Sequence, residues 1–217
     1  MQKKTLFISS IILVAVGFAI AAMVVGQKTT AKKRDTATNN FSVMERASAP
    51  VKGPGDAEVT IVEFLDPACE TCAQFYPLVK EIMGHYRGQV RVMVRYAPLH
   101  AGSDQVVKML EAAHLQGKFW PALEQLFSTQ NRWVVHHQSQ PMRALALLGD
   151  VPGLDLEKLG NDMNGARVNA AIAEDVAALQ ALGVKATPEF FVNGKPMPSF
   201  GLPQLQHLVA EAIQAAN

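Results

Sequence analysis

Apolar residues follow two different periods along this chain, and their order predicts an α/β domain. A continuous run at residues 59–65 and alternating apolar positions at residues 90–96 predict two strands, the second with one buried face. Between them, apolar residues at helical spacing predict a helix over residues 69–86, kinked by Pro77. The order of strand, helix and strand is typical of an α/β fold.

The pattern then becomes helical over residues 101–182, with Gly183 as a candidate C-cap. Strands return at residues 189–192, followed by an Asn193-Gly194 hairpin turn and an edge strand with two prolines at residues 195–198. An amphipathic helix with a proline in its first turn follows. We therefore expect the helices of residues 101–182 to be an insertion into the sheet domain.

The N-terminal segment has no charged residue from Thr5 to Gln27, which is long enough to cross a bilayer. We predict a transmembrane helix that anchors the chain over residues 1–26. A cleaved signal sequence is the alternative, with Ala19-Ile20-Ala21 as its cleavage pattern. Two basic residues precede this segment and four follow it closely, which opposes export, whereas its position at the start of the chain favours export. Polar residues 27–55 predict a flexible linker, and residues 56–217 the folded domain.

Size and charge narrow the possible functions. With 217 residues, of which 49% are hydrophobic, the chain can bury one sizeable core. The formal net charge is +1 and no basic face accompanies aromatic residues, so we expect no nucleic-acid surface.

The chain contains two cysteines, Cys69 and Cys72, at the start of the first predicted helix. The free N–H groups and partial positive charge of a helix N-terminus stabilise a thiolate at Cys69 more than at Cys72. We therefore expect a thiol-disulfide exchange site in which Cys69 attacks and Cys72 resolves. A disulfide closing so short a loop contributes little entropic stabilisation, which argues against a purely structural bridge.

A metal site is the main alternative use of these cysteines. Zinc needs about four ligands, so histidines would have to complete the site, and none has a spacing that indicates it. The candidates are His100, His114, His136 and His137. Haem attachment needs a histidine directly after the second cysteine, where this chain has Ala73.

Several segments together resemble the DsbA-like branch of the thioredoxin fold, over roughly residues 56–215. The matching segments are Val62-Glu63-Phe64, Cys69-x-x-Cys72 with Pro77, Arg95-Tyr96-Ala97-Pro98-Leu99, Gly117-Lys118-Phe119-Trp120, Gly183-Val184, and Thr187-Pro188 with Phe190-Phe191-Val192-Asn193-Gly194. The resemblance implies a thioredoxin fold with a helical insertion at about residues 101–182. It also implies a cis Thr187–Pro188 peptide beside Cys69, and a redox-active Cys69–Cys72 disulfide with no dissociable cofactor.

Two acidic residues near the cysteines have opposite expected effects. Glu63 shares a strand face with Ile61 and Leu65, which favours a buried acid that accepts the proton of Cys72 over an ordinary solvent-facing glutamate. Glu70 is an anion beside Cys69 and should raise its pKa, making the pair a milder oxidant, unless Glu70 points to water and is screened. We assign catalysis to Cys69, Cys72, Glu63 and Pro188, and substrate contacts to Thr187, Glu70 and Thr71.

The resemblance predicts a thiol:disulfide oxidoreductase of the bacterial envelope that acts on exported proteins with cysteines. Its electrons would pass to a membrane redox partner of the DsbB or reductase type. We expect a single-pass inner-membrane protein with the catalytic domain in the periplasm, or a soluble periplasmic protein if the N-terminus is cleaved. The alternative is an adapter that uses the same fold to bind metal or peptide without turnover. The direction of exchange stays open.

Overall fold

The computed structural model describes residues 41–216, and we number its elements within that range. The strands are β1 (Val51–Lys52), β2 (Val59–Leu65), β3 (Val90–Tyr96), β4 (Val134–Val135), β5 (Gln138–Ser139), β6 (Glu189–Val192) and β7 (Lys195–Pro196). The helices that follow β2 are α1 (Glu70–His85), α2 (Ser103–Leu115), α3 (Phe119–Ser128), α4 (Gln130–Trp133), α5 (Pro141–Leu148), α6 (Leu156–Asp162), α7 (Ala166–Leu182) and α8 (Leu202–Ala216).

Five strands form one sheet in the order β1, β3, β2, β6, β7. Strands β2 and β3 are parallel, as a strand–helix–strand unit requires, and the other neighbours are antiparallel. The proline-containing β7 lies at the sheet edge, as its sequence predicts. This sheet gives the predicted thioredoxin-like α/β architecture.

Both faces of the central strands are covered, which differs from the single buried face predicted for residues 90–96. On one face, Ile61, Glu63 and Leu65 of β2 lie under α1. On the other, Val62 and Phe64 pack in a second cluster with residues of α7 and with Met44. Every residue of β2 is buried because it lies between β3 and β6 and is covered on both sides.

The second face also holds a buried ionic network, which the sequence pattern does not reveal. Arg46 Nε donates to Asp175 Oδ1 over 2.9 Å, and Arg46 Nη1 donates to Glu111 Oε1 over 3.2 Å. Arg95 also donates to Asp175, and the Tyr96 hydroxyl donates to Glu111 Oε2 over 2.9 Å. The network joins β3, α2 and α7 to the segment that precedes β1. We refer to these five residues as the Arg46 network.

The folded unit consequently begins earlier than the boundary at residue 56 that the polar composition of residues 27–55 suggests. Met44 is fully buried, Arg46 lies in the network, and β1 pairs with β3. A charged residue such as Arg46 looks like linker in the sequence because its partners are far along the chain.

The predicted insertion is present between β3 and β6, and comprises α2 to α7 with the small β4–β5 hairpin. Among residues 41–216, no helix is long and apolar enough to span a membrane. The predicted anchor or signal over residues 1–26 lies outside the described residues.

Candidate active site

Cys69 is the N-cap residue of α1, and Cys72 lies in the first turn of that helix. Both are free thiols, so the structure represents the dithiol state. Cys69 retains 5% of its surface exposed, whereas Cys72 is fully buried. An incoming disulfide or thiol can therefore reach Cys69 but not Cys72.

A second segment meets the Cys69 sulfur from far along the chain. Thr187 and Pro188 are joined by a cis peptide bond, as the resemblance implies, and the Cys69 thiol donates to the Thr187 carbonyl oxygen over 3.1 Å. Pro188 is buried directly before β6. The structure thus brings the predicted residues Cys69, Thr187 and Pro188 together.

The surroundings of Cys69 stabilise its thiolate. The Cys72 thiol makes the largest contribution by hydrogen-bonding to the Cys69 sulfur, and the backbone N–H groups of Cys72 and Thr71 add to it. These hydrogen bonds outweigh burial, which acts to raise the pKa, and they lower the pKa of Cys69 to about 5. The Thr187 carbonyl can only accept a hydrogen bond, so it contacts the thiol form. The predicted effect of Glu70, which is to raise the pKa of Cys69 relative to an uncharged side chain at that position, stays a prediction.

Cys72 and Glu63 are shifted in the opposite direction. Burial raises the pKa of the Cys72 thiol well above its usual value, and the neighbouring Cys69 and Glu63 raise it further. Burial also raises the pKa of Glu63 to about 8, with the charge of Cys69 adding to the effect. Glu63 is buried, as the strand alternation predicts. At neutral pH the site holds one thiolate above two protonated groups, Cys72 and Glu63.

Asp66 organises the loop between β2 and α1, and the sequence analysis missed it. Its fully buried carboxylate accepts hydrogen bonds from the backbone N–H groups of Ala68, Leu99 and His100 and from the Ser103 hydroxyl. The His100 ring also bonds to it through Nδ1 over 2.8 Å. Asp66 thereby fixes the loop that leads into Cys69 against the loop after β3.

Gln130 was also missed, and it ties the insertion to the same loop. Its side-chain amide in α4 donates to the carbonyl oxygens of Pro67 and Cys69, over 2.9 and 3.1 Å. One signal could have marked Asp66, namely its place at the end of a buried strand just before the cysteines. Nothing local marks Gln130, because its partners lie more than sixty residues away.

Glu70 points towards the β4–β5 hairpin. His137, in the turn of that hairpin, lies 3.1 Å from a carboxylate oxygen of Glu70, and both side chains are exposed. Partial burial raises the pKa of Glu70, but its own backbone N–H, His137 and His100 together hold that pKa below its ordinary value. Glu70 is thus an anion whose hydrogen-bond partner comes from the insertion.

Two of the histidines considered above as metal ligands have other partners. Within residues 41–216, no group of three or more histidine, cysteine or acidic side chains is arranged to hold a metal ion. His100 instead bonds to Asp66, and His137 pairs with Glu70.

A family model described as thioredoxin matches residues 45–211. The chain belongs to this thioredoxin family. The match begins next to Arg46, in agreement with the early start of the folded unit.

Solved structures agree with this membership. A thioredoxin-like oxidoreductase from Silicibacter pomeroyi is 32% identical, with a TM-score of 0.69 over 80% of this chain and 96% of that one. The thiol-disulfide exchange protein alpha-DsbA2 from Wolbachia pipientis has the same fold at 19% identity, with a TM-score of 0.67 over 83% of this chain and 97% of that one. The predicted resemblance to DsbA-like proteins of the thioredoxin superfamily is confirmed.

A curated relative is similar to this chain over part of its own length. The Na(+)/H(+) antiporter NhaA of Herminiimonas arsenicoxydans is 32% identical over 145 residues, which are 67% of this chain and 22% of the antiporter. The chain thus spans about a fifth of the length of that relative. The similarity concerns these 145 residues and not the antiporter as a whole.

Proposed function

We propose that this thioredoxin-family protein is a thiol:disulfide oxidoreductase that uses Cys69 and Cys72 as its redox group. The observation that carries the proposal is the separation of the two sulfurs. Cys69 is partly exposed with a pKa of about 5, whereas Cys72 is fully buried with a raised pKa. A structural disulfide needs no such difference, but exchange needs one reactive and one protected thiol.

In the oxidising direction, a substrate thiolate attacks the Cys69 sulfur of the Cys69–Cys72 disulfide. The bond between the two cysteines breaks, its electron pair goes to the Cys72 sulfur, and Cys72 takes up a proton. A second substrate thiolate then attacks the substrate sulfur of the mixed disulfide and displaces Cys69 as a thiolate. The substrate gains a disulfide and loses two electrons, which the protein retains as two reduced cysteines.

The low pKa of Cys69 favours this direction. A stabilised thiolate lowers the free energy of the reduced protein and makes Cys69 a good leaving group. Glu70 is expected to make the protein a milder oxidant than it would be without that anion, while the donors around Cys69 lower the pKa of the thiol. We therefore propose net oxidation of substrates, followed by reoxidation of the protein by a membrane partner of the DsbB type.

The cellular setting follows from the same chemistry. A reactive pair without other cysteines suits an oxidising compartment, so we propose that the domain acts in the periplasm on exported proteins with cysteines. The uncharged segment from Thr5 to Gln27 is proposed as its membrane anchor, or as a cleaved signal sequence. Pro188 and the backbone of Thr187 border Cys69 and are proposed to contact the substrate, together with Glu70 and Thr71.

Single-cysteine variants test this function. Cys72→Ser keeps the attacking thiolate without its resolver, so it should accumulate mixed disulfides with a cysteine-containing peptide disulfide, visible by non-reducing gel and mass spectrometry. Cys69→Ser should form none at neutral pH, because the buried Cys72 thiol is neither accessible nor ionised.

The wild-type protein, poised in glutathione buffers, should show one defined reduction potential and rapid exchange. An adapter that only binds metal or peptide would show slow exchange and no trapped intermediate. That result, or trapping by Cys69→Ser in place of Cys72→Ser, contradicts the proposal.

A further inference from the structure

The turn between β4 and β5 holds two histidines in a backbone conformation that suits asparagine and glycine. His136 and His137 have φ angles of 50° and 58°, and they lie between the paired residues Val135 and Gln138. Two-residue hairpin turns with positive φ at both positions strongly prefer Asn-Gly, because most side chains are strained there. The β6–β7 turn of this chain has that sequence, at Asn193-Gly194. Strained residues cluster at functional sites, so the two histidines indicate a function other than folding.

The β4–β5 hairpin has a fixed position relative to Cys69. At its base, the Ser139 N–H donates to the Ala101 carbonyl oxygen over 2.9 Å, and the buried Ser139 hydroxyl lies 3.2 Å from that of Ser103. The Ser103 hydroxyl in turn donates to Asp66, whose carboxylate organises the loop before Cys69. One buried carboxylate thus holds both the cysteine loop and the hairpin.

The turn of the hairpin lies beside the reacting cysteine. His137 Nδ1 is 3.1 Å from Glu70 Oε1, and Glu70 directly follows Cys69. The His137 side chain is 76% exposed, so a bound chain can reach it. Thr187 and Pro188 border Cys69 from another segment. A substrate whose cysteine reaches Cys69 therefore meets the hairpin as well as Thr187 and Pro188.

The hairpin and the helices next to it, α4 and α5, carry cationic and imidazole side chains without acidic ones. Residues 125–149 contain no aspartate or glutamate, and their basic residues Arg132, His136, His137 and Arg143 are all exposed. The side chains of Arg132, His136 and Arg143 make no hydrogen bond or ion pair with any described residue. This border of the active site thus offers unpaired donors and a positive potential to an incoming chain.

We propose that the β4–β5 hairpin is a recognition element for substrates with an acidic residue close to the reacting cysteine. The proposal rests on the thiol-disulfide exchange proposed above, and it names a substrate class for that site. The substrate carboxylate accepts hydrogen bonds from an imidazole N–H of His136 or His137 and from the Arg132 guanidinium. Glu70 by itself repels such a substrate, and its contact with His137 reduces that repulsion. An Asn-Gly turn would suit the backbone better but would offer no imidazole.

The test replaces both histidines by the residues that the turn prefers, His136→Asn with His137→Gly. This change removes the strain and the proposed contacts together, so the melting temperature should rise while the recognition of acidic substrates is lost. Because the replacement suits the hairpin, the variant is expected to fold.

Rates are measured with the oxidised protein and three reduced peptides of equal length. Each peptide has two cysteines and carries Glu, Gln or Lys two positions before the first of them. The ratio of the wild-type rate to the variant rate should be about threefold larger for the Glu peptide than for the Gln peptide, as one exposed ion pair provides. The ratio for each peptide cancels the reactivity of its own thiols. The comparison between peptides cancels any change in the reduction potential of the protein.

Salt and single arginine variants test whether charge is the cause. Sodium chloride at about 0.5 M should remove most of the wild-type preference for the Glu peptide, since salt screens exposed charges. Arg132→Gln should lower that preference by about twofold. Arg87→Gln is the matched control, in the exposed turn at the far end of α1 from Cys69, and should leave the preference unchanged.

Other results overturn the recognition element. If the double replacement changes the rates of all three peptides by one factor, or changes none, the hairpin does not select acidic substrates. A wild-type preference for the Lys peptide would show that Glu70 and not the hairpin determines selection. A preference that salt leaves intact is not electrostatic, and a double variant less stable than the wild type would show that the histidines serve the fold. If the wild type oxidises none of the peptides, the proposed function itself fails.

Discussion

Cys69 obtains the largest part of its low pKa from a hydrogen bond that the Cys72 thiol donates. The two cysteines are therefore coupled before any disulfide forms, because the raised pKa of Cys72 keeps the proton that stabilises the Cys69 thiolate. The backbone N–H groups at the start of α1 add a smaller contribution that no single side chain controls.

Replacing Cys72 with alanine should consequently raise the pKa of Cys69 from about 5 towards the value of an ordinary thiol. The ultraviolet absorbance of the thiolate, titrated in the reduced protein, measures this directly. Alkylation of Cys69 at about pH 6 should slow severalfold, since only the thiolate reacts. An unchanged titration would mean that the helix N–H groups alone stabilise the sulfur.

The Glu70–His137 pair should adjust the reduction potential by a small amount. His137→Ala leaves the Glu70 anion unpaired near Cys69, which disfavours the thiolate and makes the protein less oxidising. We expect a decrease of about 5–20 mV, because exposed ion pairs are worth about 0.2–1 kcal/mol and 30 mV corresponds to about 1.4 kcal/mol.

His136→Ala is the matched control, since it alters the same exposed hairpin turn at the neighbouring position. Equal reduction potentials for the two histidine variants would show that the hairpin turn, and not the Glu70–His137 ion pair, affects the reduction potential. Glu70→Gln should make the protein more oxidising, and His137→Ala should then have a smaller effect in that background.

Among the secondary-structure elements, long periodic ones were predictable and short ones were not. Strand β2 and helix α1 were placed correctly because each carries many residues of one pattern, although α1 continues as one helix through Pro77. Strand β1 and the β4–β5 hairpin have two residues per strand, too few to show any alternation.

The residues of the candidate site also differ in how far the sequence predicts them. The cysteines, Glu63 and Pro188 could be found from local patterns and a family resemblance. Asp66 and Gln130 could not, because their importance depends on partners that folding brings to them from distant parts of the chain.

The Arg46 network makes the segment before β1 part of the fold, which can be tested by unfolding. Arg46→Ala removes one cation and leaves Glu111 and Asp175 buried with less compensation. We expect a loss of about 3–5 kcal/mol in the free energy of unfolding, as when one partner of a buried ion pair is removed. Arg167→Ala in the exposed first turn of α7 is the control and should change stability by about 0.5 kcal/mol or less. Equal stability of the two variants would contradict this role.

For the whole molecule, Glu63 links stability to pH. Its pKa in the folded protein, about 8, lies above the ordinary value of 4.5, so the folded state holds this proton more tightly than the unfolded state. Glu63 therefore does not reduce the free energy of unfolding below about pH 4.5. This free energy decreases as pH rises from there through about 8. Glu63→Gln removes this dependence and should stabilise the reduced protein at alkaline pH by a few kcal/mol.

Urea unfolding of the reduced wild type and Glu63→Gln at about pH 4.5 and about pH 8.5 measures the difference, which should appear only at the higher pH. Glu81→Gln, on the exposed side of α1, should show no such dependence. A Glu63→Gln variant that is equally stable with the wild type at both pH values would show that the carboxyl is not held protonated.

The contact between Cys69 and Thr187 spans 118 residues and therefore cannot exist until the helical insertion has been synthesised and packed. Until then, the loop before Cys69 also lacks Gln130, and Cys72 is not enclosed by the core. A growing chain accordingly carries two accessible thiols and lacks the burial that raises the pKa of Cys72. The difference between an attacking and a protected thiol is thus acquired together with the finished fold.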